Sequence, residues 1–286
     1  MRKIILLFFC IYLFAANIYK PLKEIPYDED LALIGKRMFF DINLNSSKVS
    51  CNTCHDLNLT GSGSNNSGIN TDNLLNPPTV LNIAYSNLFF KDASVNNLYE
   101  QVEQTLLRDM HLDKNDLDNI LQNNVTYNVL FEKVGLKANT NSAILALVEF
   151  EKALVTLDSP FDLFLKGDSL AISERAKNGL KLFNKYGCLA CHNGDNFGTN
   201  MISSVNNDFF QHCEFSDSEM VKIPTLRNIT LTAPYSYNGG YHYLEDIIRA
   251  KTACQLGIIM PDKDVDDIIE FLKTLEGKRP RILDKQ

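Results

Sequence analysis

The sequence predicts a mainly helical protein made of two related domains, and three observations support this. A five-residue pattern, Cys-x-x-Cys-His, occurs twice, at 51–55 and at 188–192. A glycine-containing helical pattern precedes each copy, at 35–39 and at 179–183. A length of 286 residues is also typical of about two domains of ~150 residues each. The chain is therefore expected to contain one structural unit twice.

The composition is that of an ordinary globular protein. The chain is 45% hydrophobic and 22% charged, which argues against a disordered chain and against a protein with several membrane spans. Asp and Glu number 35 against 28 Lys and Arg, so the formal net charge is −7. Because binding to phosphates requires a basic face, nucleic acid is not expected as a partner. Seven cysteines are too few for a disulfide scaffold, so their spacing matters individually.

The two repeated patterns are typical of covalent haem attachment. Two thiols about one helical turn apart can form thioethers to the two vinyl groups of one porphyrin, and the adjacent His then ligates the iron as its proximal ligand. A zinc knuckle would need two more Cys or His ligands close by, and a thioredoxin-like pair has no need of the His. The chain is therefore predicted to carry two haem c groups. The residues that bind them are Cys51, Cys54 and His55 in the first half, and Cys188, Cys191 and His192 in the second.

Each half also ends with an apolar-periodic helix, over 142–157 and over 262–275. A glycine on the earlier helix lets a partner helix approach closely, as in the cores of class I cytochromes c. The sequence thus predicts two cytochrome c-like helical domains, each with one covalently bound haem c. A cluster of Pro, Gly, Ser and Asp within 158–169 marks the boundary. We assign 17–162 to the N-terminal domain and 163–286 to the C-terminal domain.

Residues 1–16 have the three-part form of a secretory signal peptide. Met1–Lys3 is a basic start, Ile4–Phe14 is an unbroken apolar run, and Ala15 and Ala16 are small residues suited to cleavage. The apolar run is short for a membrane span, and an uncleaved anchor is the alternative interpretation. The expected location is the periplasm, an oxidising compartment.

Four further segments match a known pattern. They are Asn76–Asn82 (NPPTVLN), Phe89–Asp92 (FFKD), Pro160–Phe164 (PFDLF) and Leu226–Tyr235 (LRNITLTAPY). Together with the two haem motifs they resemble the bacterial di-haem cytochrome c peroxidases, over nearly the whole mature chain from about Leu31 to Leu275. The corresponding family segments read N-x-P-T-x-x-N, Phe-Trp-Asp-Gly, an interdomain linker, and R-N-I-x-L-T-A-P-Y.

This resemblance implies an oxidoreductase that reduces hydrogen peroxide to water with two electrons from a small periplasmic cytochrome c or cupredoxin. It implies that His55 is proximal at the peroxidatic haem and His192 at the electron-transfer haem. It also implies a calcium ion between the domains, held by Asn76 and by the backbone carbonyls of Thr232 and Pro234, since an oxygen-rich site suits calcium. The alternative is that Asn76 and Thr232 only stabilise turns next to proline residues. Members of the family often form dimers, so this chain is a candidate homodimer.

The sequence departs from the family pattern in three places. No His lies between His55 and His111, where the family usually has one that closes the peroxidatic haem, so an open or water-filled distal face is expected. The Trp that lies between the two haems is absent, and Lys91 stands in its column. Lys251 stands where the peroxidases have the distal Met of the electron-transfer haem. Four alternatives stay open for the distal side of this haem. The Lys251 amine binds the iron, Lys251 extends its amine to solvent, the site is open, or another residue such as Met260 is the ligand.

The expected distal pocket of the peroxidatic haem contains an acid–base group and a hydrogen-bonding amide. Peroxide cleavage needs a group that moves a proton and donors that stabilise the leaving hydroxide. The family supplies a Gln and a Glu, and Gln101 matches the Gln. The Glu position falls on His111 by ungapped count, or on Asp109 with a two-residue shift. Solvated loop residues are the alternative for both.

Two cysteines outside the motifs, Cys213 and Cys254, are candidates for a disulfide in an oxidising compartment. Two rival functions also stay open, because a fold does not determine a function. One is a non-enzymatic di-haem electron carrier, favoured by the missing Trp and the altered ligands. The other is a di-haem oxidase of a protein side chain, akin to the quinone-maturing relatives.

Overall fold

The computed structural model describes residues 18–57, 76–204, 220–236 and 238–285, and within them the chain is mainly helical, as predicted. The predicted signal peptide lies outside these residues. The chain divides into two compact units. The N-terminal unit comprises the described residues of 24–155, 231–243 and 279–285, and the C-terminal unit comprises those of 18–23, 156–230 and 244–278.

The N-terminal unit is built from helices and short turns. Its α-helices are α1 (Glu29–Phe40), α2 (Cys51–Cys54), α3 (Leu98–Gln104), α4 (Lys114–Asn123), α5 (Val125–Lys133) and α6 (Thr140–Lys152). A π-helical turn, Thr105–Asp109, follows α3. Short 3₁₀ helices span Ile42–Leu44, Ile83–Tyr85 and Arg281–Asp284.

The C-terminal unit combines helices with one small hairpin. Its helices are α7 (Pro160–Leu165), α8 (Glu174–Lys185), α9 (Leu244–Leu256) and α10 (Asp262–Lys273), with a 3₁₀ helix at Cys188–Ala190. Strands β1 (Ile202–Ser204) and β2 (Met220–Lys222) pair antiparallel, with Ile202 opposite Lys222. Another 3₁₀ helix, Ile229–Leu231, stands where the chain leaves this unit. Within the described residues, no helix is long and apolar enough to cross a membrane.

Local capping interactions explain where the main helices begin. The side chains of Asp28, Asn139 and Ser173 accept hydrogen bonds from backbone N–H groups in the first turns of α1, α6 and α8, at 2.9, 3.0 and 3.1 Å. Such caps satisfy N–H groups that have no partner inside the helix. They place the starts of the helices that carry the repeated packing described next.

The two units repeat one helix pair, as the glycine patterns predict. In the N-terminal unit α1 packs on α6, and Gly35 lies directly against the backbone carbonyl of Ala146. In the C-terminal unit α8 packs on α10, and Gly179 lies against the carbonyl of Asp267 in the same way. A Cβ atom at either glycine would overlap backbone atoms that cannot move aside. Both helices preceding the haem motifs are therefore held close to their partners.

Aromatic side chains fill the core beneath this helix pair in the C-terminal unit. Phe161, Phe183 and Phe197 are fully or almost fully buried and surround Phe271 of α10, with ring centroids 5.4 to 6.0 Å from it. Edge-to-face contacts of this kind add to the free energy gained by burying the rings. Tyr19 stacks on Phe197 at 4.3 Å, which explains why 18–23 belong to this unit.

Each compact unit includes segments from outside its own half of the sequence, so the units differ from a division of the chain at 162/163. Residues 156–162 belong to the C-terminal unit, because Phe161 is part of its aromatic core. The C-terminal segment 279–285 belongs to the N-terminal unit, where Lys36 Nζ donates to the carbonyls of Ile282 and Leu283 at 3.1 and 2.8 Å. Such long-range pairings depend on tertiary packing, which local sequence patterns do not reveal.

A buried ion pair stabilises the C-terminal unit. The Arg227 and Asp162 side chains are both 0% exposed, and their Nη1 and Oδ1 atoms are 2.8 Å apart. Arg227 also donates to Ser159 Oγ at 3.2 Å and to the Asp195 carbonyl at 3.0 Å. Removing one member of such a pair leaves an uncompensated charge inside the protein.

We therefore expect Arg227→Met to lower the free energy of unfolding by about 3–5 kcal/mol, since Asp162 would lose its counter-charge. Chemical denaturation of the haem-loaded protein measures this. Lys166→Met is the control, because its ion pair with Asp158 is exposed and should contribute about 0–1 kcal/mol. Equal effects of the two substitutions would contradict the expectation.

Candidate functional site

The first haem motif forms a single turn of helix, α2, separated from α1 by the 3₁₀ helix Ile42–Leu44 and a short loop. The Ser50 N–H donates to Thr53 Oγ1 at 3.0 Å, and the His55 N–H donates to the Cys51 carbonyl at 2.9 Å. Cys51 and Cys54 are therefore one turn apart, and both thiols are free. Burial raises the pKa of the Cys51 thiol to about 12. A pair of uncharged thiols at this spacing fits attachment to the two vinyl groups of one porphyrin.

The ring of His55 is oriented by the loop that follows. Its Nδ1–H donates to the Pro78 carbonyl at 2.9 Å. Burial lowers the pKa of His55, which favours the neutral imidazole. A metal-binding His commonly donates its second ring N–H to a carbonyl, which fixes the tautomer. His55 thus keeps Nε2 and its lone pair for an iron ion.

The second motif has the same arrangement. Cys188 and Cys191 are free, and the His192 N–H donates to the Cys188 carbonyl at 2.9 Å. The Nδ1–H of His192 donates to the Phe197 carbonyl at 3.2 Å, and burial lowers the pKa of this His to about 4. Both donor sets therefore fit haem c, because each has two free thiols and a neutral imidazole held through Nδ1.

Gln101 is the predicted amide of the first distal pocket. It lies on α3, and its Nε2 donates to Thr105 Oγ1 at 3.0 Å. Its Oε1 is buried and has no hydrogen-bond partner among the described residues. A buried amide oxygen without a partner is costly and is a feature of binding sites. The π-helical turn that follows Gln101 is also a feature that recurs at functional sites.

The two candidate acid–base residues lie at the end of this turn. Asp109 forms an ion pair with the neighbouring Arg108 at 2.9 Å and is 47% exposed. Its negative charge raises the pKa of His55, against the larger effect of burial, so Asp109 acts electrostatically on the first iron ligand. His111 is exposed, with a left-handed backbone at φ 52°. The loop lacking a His lies almost wholly in 58–75, outside the described residues, so the expected open face stays a prediction.

Two of the predicted candidates for the second distal ligand, Lys251 and Met260, lie in different surroundings. Lys251 lies on α9, and burial lowers the pKa of its amine to about 8. Its positive charge lowers the pKa of His192, while Cys191 acts on Lys251 itself. Met260 is 3% exposed and packs within the hydrophobic core of the C-terminal unit. Cys188 and Leu189 of the second haem motif pack against the same core as Met260, so both residues stay candidates.

The predicted calcium ligands share one unit. The Nδ2 of Asn76 donates to the carbonyls of Pro234 and Ser236 at 2.7 and 3.0 Å. Asn76 Oδ1 and Ser236 Oγ are buried and have no partner among the described residues. Asn76, Thr232 and Pro234 all belong to the N-terminal unit, although Asn76 is more than 150 residues from the other two in sequence. In the described part of the chain, no cluster of three or more His, Cys, Asp or Glu could hold a metal.

Comparison of this sequence with known proteins identifies the family of the chain. The family model described as di-haem cytochrome c peroxidase matches residues 29–170. The cytochrome c551 peroxidase of Pseudomonas aeruginosa is 33% identical over 94% of this chain and 87% of the relative. The chain belongs to the di-haem cytochrome c peroxidase family. A cytochrome c551 peroxidase of Nitrosomonas europaea is 31% identical over 91% of this chain and 84% of that protein.

A solved structure agrees with the fold of this di-haem peroxidase family member. The crystal structure of a MauG-like protein associated with microbial copper homeostasis matches with a TM-score of 0.72 and 20% identity, over 90% of this chain and 93% of that one. At this identity the likeness concerns the fold alone. Membership in a di-haem family implies two haem c groups, in agreement with the two Cys-x-x-Cys-His motifs.

Two ionisable residues of this family member were not singled out from the sequence. Glu151 on α6 is 93% buried, its Oε2 has no partner among the described residues, and burial raises its pKa to about 8. Its charge acts on Cys51. The sequence held a signal, because Glu151 shares the apolar face of α6 with Ile144 and Leu147. Lys222 on β2 is half-buried, its desolvation lowers its pKa to about 8, and no local pattern indicates it.

Cys254, one of the two cysteines predicted to pair, is disulfide-bonded. Its proposed partner, Cys213, lies outside the described residues.

Proposed function

We propose that this chain is a periplasmic peroxidase that reduces hydrogen peroxide to two waters, taking up two electrons and two protons. The observation that carries the proposal is the pair of haem motifs, each with free thiols and a neutral His anchored through Nδ1, in a chain of the di-haem cytochrome c peroxidase family. When bound, the two haems supply a peroxide-binding iron and a one-electron relay. The protein's own residues bind peroxide, move the proton and admit the electrons.

Gln101 is proposed to hold the peroxide beside the first haem. Its buried and unpartnered Oε1 can accept a hydrogen bond from one peroxide oxygen, which would satisfy an otherwise costly group. The bond from Nε2 to Thr105 keeps the amide in place. A fixed acceptor of this kind orients the bound peroxide for reaction.

Asp109 is the favoured proton carrier. Its charge acts on His55, which places it in the electrostatic neighbourhood of the first iron ligand, and its ion pair with Arg108 restrains it. The proton would move from the inner oxygen of peroxide to Asp109 and then to the outer oxygen, which leaves as water with the electron pair of the broken O–O bond. The inner oxygen becomes the second water with two electrons from the donor and two protons from solvent. His111 is the alternative carrier and is exposed.

Asp109→Asn is expected to lower kcat/KM for peroxide by about 10²–10⁴-fold, because general acid–base help would be lost. His111→Asn is the matched control, and we expect it to change this constant less than about threefold if Asp109 carries the proton. Steady-state assays over a range of peroxide concentrations measure both. The reverse pattern would assign the role to His111.

Electrons are proposed to enter at the second haem from a small cytochrome c or cupredoxin. The formal net charge of −7 suggests a donor with a basic rim around its redox centre. Stopped-flow association rates should therefore fall as ionic strength rises.

An assay with such a reduced donor and peroxide tests the whole proposal. Donor oxidation that depends on peroxide supports it, whereas donor oxidation without peroxide turnover would indicate a plain electron carrier, and dependence on a protein substrate would indicate a side-chain oxidase.

A calcium ion is proposed at Asn76, Thr232 and Pro234. The support is the convergence of the Asn76 amide on the Pro234 and Ser236 carbonyls, with Asn76 Oδ1 and Ser236 Oγ buried and unpartnered in the described residues. A turned amide would present Oδ1 to the same group of oxygens, and amide orientation is assigned from such networks. Amide and carbonyl oxygens are ligands that Ca²⁺ accepts.

Calcium at about 100 times its Kd is expected to raise the stability of the chelator-treated protein by about 2.7 kcal/mol. Asn76→Ala should abolish this gain, whereas Asn119→Ala, at an exposed position on α4, should retain it. Thermal unfolding with and without Ca²⁺ measures the effect. An unchanged gain in Asn76→Ala would remove Asn76 from the site.

A further inference from the structure

Phe197 follows the second haem motif and supports its histidine. The backbone carbonyl of Phe197 accepts a hydrogen bond from Nδ1 of His192 at 3.2 Å, and the N–H of Leu226 donates to the same oxygen at 3.2 Å. The backbone of Phe197 is left-handed, with φ 51°. A residue other than glycine keeps such a conformation only where its surroundings hold it. The direction of this carbonyl therefore depends on the contacts that fix Phe197.

Tyr19 makes the closest ring contact with Phe197. The two rings are parallel to within 10°, and their centroids are 4.3 Å apart. The rings of Phe161, Phe183 and Phe271 lie 5.5 to 6.4 Å from that of Phe197, in edge-to-face or tilted arrangements. Stacked rings attract each other beyond the effect of burial alone. Tyr19 is 1% exposed, and its hydroxyl has no hydrogen-bond partner among the described residues, so it acts on Phe197 through its ring.

Backbone hydrogen bonds hold the segment around Tyr19 against the C-terminal unit. The N–H of Lys20 donates to Oδ1 of Asp195, in the loop after the second haem motif, at 3.2 Å. The N–H of Leu22 donates at 3.2 Å to Oδ1 of Asp162, the carboxylate that pairs with Arg227. The segment is therefore bound both to the haem-binding loop and to the buried ion pair, and these bonds keep the Tyr19 ring on Phe197.

We propose that Tyr19 is a positioning residue of the second haem, because it holds the Phe197 carbonyl where that carbonyl accepts the Nδ1–H of His192. This hydrogen bond makes the imidazole a stronger donor to the iron. A stronger donor stabilises the ferric state, so the contact lowers the potential of the second haem. The segment around Tyr19 is thus part of the second haem site, although it lies far from the motif in the sequence. The inference rests on the proposed assignment of this haem to Cys188, Cys191 and His192, and it requires no turnover of peroxide.

The test is redox potentiometry of the two-haem protein without peroxide or donor, followed by haem absorbance. The wild type is compared with Tyr19→Ala, Tyr19→Phe and Ile172→Ala. The variant Cys51→Ser/Cys54→Ser, which keeps only the second pair of thiols, identifies the potential of the second haem. We expect Tyr19→Ala to shift the one-electron reduction equilibrium of the second haem about tenfold towards the ferrous state, a rise of about 59 mV, and to leave the first haem unchanged.

Two of these variants are matched controls. Tyr19→Phe keeps the ring and removes only the hydroxyl, so both potentials should stay at their wild-type values. Ile172 is 4% exposed and belongs to the same hydrophobic core as Tyr19. Ile172→Ala therefore measures the effect of lost packing alone, and we expect it to leave the potential of the second haem unchanged.

An unchanged potential of the second haem in Tyr19→Ala would overturn the proposal. An equal rise in Ile172→Ala would also overturn it, by indicating a general loosening of the core, and so would an equal rise in Tyr19→Phe, by assigning the effect to the hydroxyl. Haem content per chain shows whether each variant retains both haems. If Tyr19→Ala does not, Tyr19→Leu decides, because it keeps an apolar side chain without a ring and should raise the potential in the same direction. Potentials are measured without peroxide, so the failure of this inference and the failure of the peroxidase proposal are distinguishable.

Discussion

Replacing the two thiols of one haem motif is expected to separate the two halves of the reaction. In Cys51→Ser/Cys54→Ser the first haem cannot be covalently attached, so the protein should carry one haem and lose its reaction with peroxide. Its remaining haem, at Cys188 and Cys191, should still accept electrons from a reduced donor. The physical reason is that each pair of free thiols, one turn apart, serves one porphyrin.

The reciprocal variant, Cys188→Ser/Cys191→Ser, should show the opposite behaviour. It should still react with peroxide at the first haem, while donor oxidation falls to the background rate. Haem content, donor oxidation by stopped flow, and peroxide-induced absorbance changes measure these properties, and the helical circular dichroism of each variant serves as a control on folding. If the first variant kept its peroxide reaction, the assignment of His55 to the peroxidatic haem would be wrong.

Loss of the buried amide at position 101 is expected to have the second large effect. Gln101→Leu keeps the approximate size of the side chain but removes both the unpartnered Oε1 and the bond to Thr105. Losing a group that positions the substrate costs on the order of 10²-fold in rate. We therefore expect kcat/KM for peroxide to fall by about that factor, while donor binding stays unchanged.

Gln104→Leu is the matched control for this effect. Gln104 lies one turn later on α3, and its Nε2 donates to Glu100 at 3.1 Å, away from the bond that Gln101 forms. A change of less than about threefold is expected there. Similar losses in both variants would indicate a general effect on α3 and the π-helical turn. Equal activity of Gln101→Leu and the wild type would remove Gln101 from the distal pocket.

The repeated architecture could be predicted because its determinants are local. The Cys-x-x-Cys-His spacing depends on one helical turn, and Gly35 and Gly179 mark the two close helix contacts. The assignment of the two terminal segments to these units could not be predicted, because it depends on contacts with residues far away in the sequence. Tyr19 joins the C-terminal unit by stacking on Phe197. The segment containing Ile282 and Leu283 joins the N-terminal unit because the two backbone carbonyls accept hydrogen bonds from Lys36.

The candidate site was predictable to different degrees for the same reason. The motifs identify the proximal ligands, and the Asn76 and Pro234 segments, far apart in sequence, are brought together by a hydrogen bond of 2.7 Å. The ungapped sequence count fell on His111 and a two-residue shift on Asp109, and the charge of Asp109 acting on His55 is the observation that favours Asp109. Lys251 and Met260 both stay candidates for the second distal ligand, because a position in the core that Cys188 also contacts does not exclude Met260.

Peroxide reduction at an open first haem is tested most directly by electron paramagnetic resonance of the fully oxidised protein, before and after peroxide is added without prior reduction. We predict one high-spin ferric signal and one low-spin ferric signal per chain. A stoichiometric amount of peroxide should remove the high-spin signal at once and leave the low-spin signal of the second haem. Two low-spin signals that peroxide does not change would contradict this account, because they would mean that a ligand closes the first haem.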